Sequence, residues 1–133
     1  MQKADARILV LDDEPDIVEL YSDALSDLYQ VDTFIDPEVA YSAACKNRYL
    51  IILSDFKMPK MNGGQLLEKI RMNGTLNSDT PFLFLSAYVD EVKHLLINES
   101  VFLLGKPVDL SELTRMIGFV TNMTKSVRKQ KIA

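Results

Sequence analysis

The chain has 133 residues, 47% hydrophobic and 26% charged, with a formal net charge of −4 at pH 7. That composition suits one globular domain with its own core and excludes disorder for most of the length. An acidic balance argues against a nucleic-acid surface, which needs clustered Lys and Arg, and no apolar run is long enough to cross a bilayer. A protein partner is therefore expected, without nucleic acid or membrane. The lone cysteine, Cys45, forms no internal bridge, and Met1 to Ala6 is short and polar, unlike a signal peptide, so the expected compartment is cytoplasmic.

Ile8-Leu9-Val10-Leu11 reads as the first strand, a short apolar run stopped by Asp12-Asp13. Pro15 lies just inside the next helix, where its missing N–H costs nothing. Ile17, Leu20, Tyr21, Ala24, Leu25 and Leu28 recur at helical spacing as that helix's buried face. Strand two, Val31 to Phe34, is more polar, as suits a sheet edge. Asp36-Pro37 caps a second helix, with Ala40, Ala43 and Ala44 inward and Cys45 read as a small, half-buried apolar residue without a redox role. Leu50-Ile51-Ile52-Leu53 is too short for a helix and suits a strand buried on both faces. It breaks after Asp55 into a loop where Pro59, Asn62 and Gly63 oppose regular structure.

Leu66, Leu67 and Ile70 line a third helix, stopped by Asn73-Gly74. Phe82-Leu83-Phe84-Leu85 is a fourth strand, ending in Ser86. A fourth helix is expected from Val89 to Asn98, with Val89, Val92, Leu95 and Leu96 inward and His94 in solvent. Strand five, Val101 to Gly105, ends at Lys106-Pro107. Asp109-Leu110-Ser111-Glu112 opens the fifth helix as a reciprocal cap. Its stripe of Leu113, Met116, Val120, Met123 and Val127 suggests core packing and, conditionally, self-association, although Gly118 weakens a coiled-coil reading. Lys125, Arg128, Lys129 and Lys131 favour the helix dipole and are read as solvated.

Strands alternating with helical patterns mean an α/β fold, a parallel sheet covered on both faces, with ligands at the C-terminal edge of the strands. Asp12, Asp13, Asp55, Ser86 and Lys106 all stand at that edge. Three converging carboxylates repel by roughly 4 kcal/mol per pair at 4 Å, which calls for a cation. Oxygen-only ligands with room for water suit Mg²⁺, and Lys106 adds a second positive charge that favours an ionised Asp55. None of the five glycines, Gly63, Gly64, Gly74, Gly105 and Gly118, opens a Walker loop, so ATP is not used by that route.

The ordered set Asp12-Asp13, Asp55 with Met58-Pro59 and Gly63, Ser86-Ala87 and Lys106-Pro107 resembles the receiver domains of two-component response regulators, from about Arg7 to about Asn122. The resemblance implies a flavodoxin-like doubly wound sheet of order 2-1-3-4-5. Residues 1–123 would form the receiver domain, and 124–133 a basic extension of the last helix or the start of a linker. It further implies that Asp55 is the phosphoacceptor, charged by a histidine kinase or phosphotransfer protein. Mg²⁺ would be held by Asp12, Asp13, Asp55 and the backbone carbonyl of Lys57. Ser86 and Lys106 take the phosphoryl oxygens, Met58, Pro59 and Gly63 shape the loop, Ala87 leaves room, and the Lys106-Pro107 peptide is expected to be cis.

Such a protein is not an enzyme in the ordinary sense: it assists its own phosphoryl transfer and hydrolysis, and signals through helix four, strand five and helix five. One position departs from the family. Where an aromatic residue usually reports the signal, this chain has Leu103; Phe102 points to the other face, and Tyr88 is expected to take part of the role. Three alternatives stand beside this reading: a receiver module of a larger regulator, a scaffold that is never phosphorylated, and a phosphohydrolase of the haloacid dehalogenase type. The last places a second acid where this chain has Lys57.

Overall fold

The computed structural model describes residues 6–72, 74–97 and 100–132, with side chains described through Met123 apart from that of Ile97. In chain order the elements are β1 (Arg7–Leu11), α1 (Pro15–Leu25), β2 (Gln30–Phe34), α2 (Pro37–Lys46), β3 (Ile52–Asp55), α3 (Gly63–Met72), β4 (Phe82–Ser86), α4 (Val89–Val92), β5 (Val101–Gly105) and α5 (Leu110–Ile132). A 3₁₀ helix, Lys93–Ile97, continues α4. The strands form one parallel sheet in the order β2-β1-β3-β4-β5, as expected.

Alternation along the strands sends successive side chains to opposite faces, which explains the two apolar layers. Leu9, Leu11, Ile52, Phe82 and Phe84 pack with Ala40 and Ala44 of α2, Leu66, Leu67 and Ile70 of α3, and Val92 of α4. Ile8, Val10, Leu53, Leu83 and Leu85 pack with Tyr21 and Leu25 of α1 and Leu113, Ile117 and Val120 of α5. The inner strands are apolar on both sides because helices cover both sides. Leu103 packs against the first layer and Phe102 against the second, so the two do point oppositely.

Several expectations need correction. Leu20 and Leu28 are exposed, and Val18 is buried instead. The α1 stripe is the narrower set Val18, Tyr21 and Leu25, three and four residues apart, and Leu28 lies beyond the helix end. Cys45 is exposed, not half-buried, because Ala40 and Ala44 take the inward face of α2. The fourth helix is one α-turn and then 3₁₀. With three residues per turn, Val89, Val92 and Leu95 stack on one face, which turns Leu96 outward. His94 is exposed as expected.

The helix starts follow from short-range chemistry. Asp36 accepts the Glu38 N–H at 2.9 Å with Pro37 behind it, and Asp109 accepts the Glu112 N–H at 3.0 Å. Gly74, with φ of +61°, ends α3 in the left-handed region, while Asn73 lies outside the described residues. Asn98 and the side chains of Lys125, Val127, Arg128, Lys129 and Lys131 likewise lie outside them. Among the described residues, no helix is long and apolar enough to cross a membrane.

Candidate functional site

Strand register brings the polar strand ends together. Leu11 of β1 pairs with Ser54 of β3, so Asp12 follows at the level of Asp55. Asp55 pairs with Leu85, which puts Ser86 one residue further along β4. Ser86 pairs with Gly105, so Lys106 is the next residue out on β5, after which the Lys106-Pro107 peptide is cis. The carboxylate oxygens of Asp12, Asp13 and Asp55 offer one ligand atom each, all within 4.8 Å of one another. Three hard oxygen ligands this close fit a small divalent cation with part of its water shell.

Lys106 binds the cluster from the other side. Its Nζ lies 3.1 Å from Asp12 Oδ2 and 3.5 Å from Asp55 Oδ2. Burial alone would lower the Lys106 value, but the Asp12 and Asp55 carboxylates outweigh it and hold the ammonium above its ordinary range. Asp55 is shifted upward, first by burial and then by repulsion from Asp12. Lys106 and the Phe56 N–H, which donates to Asp55 Oδ1 at 2.8 Å, oppose the shift without cancelling it. Among the protein's own groups the balance therefore weakens the acidity of Asp55.

The turns behind these residues are fixed by backbone contacts. Asp12 Oδ1 accepts the Glu14 N–H at 3.0 Å, which holds the start of α1. The Gly63 N–H donates to the Phe56 carbonyl at 2.8 Å, closing the loop that carries Lys57, Met58 and Pro59. A β-carbon at position 63 would lie 2.6 Å from the Phe84 ring and 2.9 Å from the Asp55 carbonyl, so glycine is required by close approach. Asn62 and Gln65 cap α3 reciprocally, at 2.8 and 2.9 Å. The spacing Asn-x-x-Gln is the sequence signal for such a box, beyond the strand-breaking role of Asn62.

At the mouth of the site, Ser86 Oγ accepts the Tyr88 N–H at 2.9 Å, while Ala87 and Tyr88 are exposed. Lys57 Nζ sits 4.1 Å from the centroid of the Tyr88 ring and 3.6 Å from the Glu91 carboxylate. Thus Asp12, Asp13, Asp55, Ser86 and Lys106 converge at one sheet edge, with Lys57 and Tyr88 at its rim. Leu103 is set back in the core layer. Tyr21, read from the sequence as core alone, also feels the cleft: burial raises its phenol, and Lys106, Asp12 and Asp55 all act on it.

A support at the opposite end of β3 escaped sequence reasoning altogether. Asn77, fully buried, accepts the Tyr49 N–H at 2.8 Å and the Thr80 hydroxyl at 2.9 Å. Its amide nitrogen donates to the carbonyls of Ala44 and Asn47 at 2.6 and 2.7 Å. An asparagine in a polar loop gives no sign that it will be enclosed.

A family model described as the response regulator receiver domain matches residues 8–118. The chain is 33% identical over 125 residues to the sensor histidine kinase RcsC of Salmonella typhi, covering 93% of this chain and 13% of that protein. It is 30% identical over 124 residues to the transcriptional regulatory protein PcoR of Escherichia coli, covering 90% of this chain and 53% of that one. The chemotaxis protein CheY4 of Vibrio cholerae superposes with a TM-score of 0.75 at 30% identity, over 86% of this chain and 98% of that one. The chain therefore spans about half, or far less, of these two curated relatives and nearly the whole of the solved structure.

Proposed function

Because the chain belongs to the response regulator receiver domain family, we propose that it is phosphorylated on Asp55 by a histidine kinase or phosphotransfer protein and signals through changed protein contacts. The observation that supports this reading is the meeting of Asp12, Asp13 and Asp55 with Lys106 laid between two of them. In the transfer, an Asp55 carboxylate oxygen attacks phosphorus as the bond to the donor's histidine nitrogen breaks, and an acyl phosphate results. Phosphoryl transfer needs chiefly an in-line nucleophile and charge stabilisation.

Mg²⁺ held by Asp12, Asp13, Asp55 and the Lys57 carbonyl would neutralise charge on the cleft carboxylates and the phosphoryl oxygens. Lys106 exchanges its contact with Asp55 for a phosphoryl oxygen. Ser86 reaches another, and in doing so gives up the Tyr88 N–H it now accepts, which links the chemistry to the start of α4. Water then hydrolyses the acyl phosphate on the same platform. Residues 1–123 act as the receiver and 124–133 as an extension of α5 or a linker start, in the cytoplasm. The downstream partner is met through α4, β5 and α5, and self-association through α5 is compatible with exposed Met123.

The matched kinases and regulators are longer, so a receiver module within a larger regulator is the second reading. Mass spectrometry after incubation with acetyl phosphate and Mg²⁺ tests the proposal. A phosphoryl adduct that needs Mg²⁺ supports it; no adduct favours a scaffold, and steady turnover of a phosphate ester favours a hydrolase.

A further inference from the structure

Charge at the cleft is left unbalanced once Asp55 is phosphorylated. Three carboxylates against the single ammonium of Lys106 give a formal excess of two negative charges, which one divalent cation cancels. Converting the Asp55 carboxylate into an acyl phosphate dianion adds one negative charge back, with Lys106 already committed. The nearest other cation in sequence is Lys57, two residues after Asp55. Two residues of extended chain span at most about 7 Å, and the lysine stem adds several more, so its ammonium can reach the phosphoryl group.

In the resting protein that ammonium lies on the Tyr88 ring at 4.1 Å and beside Glu91 at 3.6 Å. Lys57, Tyr88 and Glu91 are all exposed, so both contacts are screened by water and readily exchanged. The element they reach is short, a single α-turn followed by 3₁₀. Resting on the reading of Asp55 as the phosphoacceptor, we propose that Lys57 Nζ is a second phosphoryl-binding cation, parked on Tyr88 and Glu91. Its move onto the phosphoryl group frees the first turn of α4. Loss of the Tyr88 N–H bond to Ser86 and loss of the Lys57 contact then act on the same turn. The signal leaves through α4, and Leu103 need report little.

The test is a titration with beryllofluoride, a phosphoryl mimic, in the presence of Mg²⁺, on the whole chain and on Lys57→Met, Glu91→Gln and the double variant. Lys57→Met keeps the main-chain carbonyl, so any contribution of that oxygen to the metal is retained. Lys57→Met is expected to weaken mimic binding about fivefold. Glu91→Gln should tighten it about two- to fivefold, the size of an exposed ion pair, and should do nothing in the Lys57→Met background. In proton spectra, the Lys57 ε-methylene signals, displaced in the resting protein by the Tyr88 ring current, should return toward the positions of a free lysine on saturation. Equal effects of Glu91→Gln in both backgrounds, or ε-methylene signals unmoved at saturation, would overturn the assignment while leaving Asp55 as acceptor. Absence of mimic binding by the wild type would overturn the acceptor reading itself, and this inference with it.

Discussion

Replacing Gly63 by alanine should destabilise the protein, whereas the same change at Gly118 should stabilise it. At position 63 the new methyl group meets Phe84 Cε1 at 2.6 Å, the Asp55 carbonyl at 2.9 Å and Phe84 Cδ1 at 3.1 Å. None of these can yield cheaply. Phe84 is fully buried, with Phe56 edge-on at 5.8 Å and Phe82 at 5.7 Å, and the carbonyl belongs to the end of a central strand. Overpacking of this kind costs about 1–3 kcal/mol. The opposing gain in helix propensity is at most about 1 kcal/mol and is smaller at the first residue of α3. The net loss expected is about 1–2 kcal/mol.

At Gly118, inside α5, the new methyl group meets nothing within 4 Å, so the gain of about 0.5–1 kcal/mol stands alone. Urea unfolding of both variants measures this: the midpoint should fall for Gly63→Ala and rise for Gly118→Ala, with unchanged slopes. Because one clash is with Asp55 itself, Gly63→Ala should also blunt the response to Mg²⁺. A Gly63→Ala midpoint at or above that of the wild type would refute the close-approach argument.

Three further outcomes are expected. Mg²⁺ should raise the melting temperature of the wild type, by the equivalent of about 2.7 kcal/mol at a hundredfold excess over Kd, and Asp13→Ala should lose most of that rise; an unchanged response removes Asp13 from the ligand set. Asn77→Ala strands the Tyr49 N–H and the carbonyls of Ala44 and Asn47, so denaturant titration should show a loss of about 3 kcal/mol or more; a loss under about 1 kcal/mol would mean that water replaces the amide. Burial, and then the 2.8 Å hydrogen bond to Asp32, push the Tyr49 phenol well above its ordinary value of about 10. A group raised on folding contributes its full stability below the unfolded value and loses it as pH climbs toward the folded one. Unfolding free energy should therefore decline above about pH 10, less steeply in Tyr49→Phe, and parallel curves for the two proteins would contradict this.

The sheet and its polar edge were legible because they depend on short-range facts: apolar runs of strand length, each stopped by Asp, Ser or Lys. Parallel connection then brings every stop to one side. The strand order and the individual roles came from family resemblance, since spacing alone does not choose neighbours. What escaped depends on exact rotation or on enclosure by distant chain. Leu20 and Cys45 each lie one position off a buried stripe, and a hydrophobic side chain one step out of phase faces water. The shift of α4 from α to 3₁₀ winding has no glycine or proline to announce it. The Lys57 contact joins the loop after β3 to the start of α4, two segments whose meeting is set by the β3–β4 pairing and the turn at Gly63.

The central claim is that Asp55 accepts the phosphoryl group. Peptide mapping by mass spectrometry after treatment with acetyl phosphate and Mg²⁺, on wild type and Asp55→Asn, tests it most directly. The wild type should carry one phosphoryl group, on the peptide containing Asp55, and the folded Asp55→Asn variant should carry none. Equal labelling of the variant, or a wild-type adduct mapped to another residue, would contradict the account.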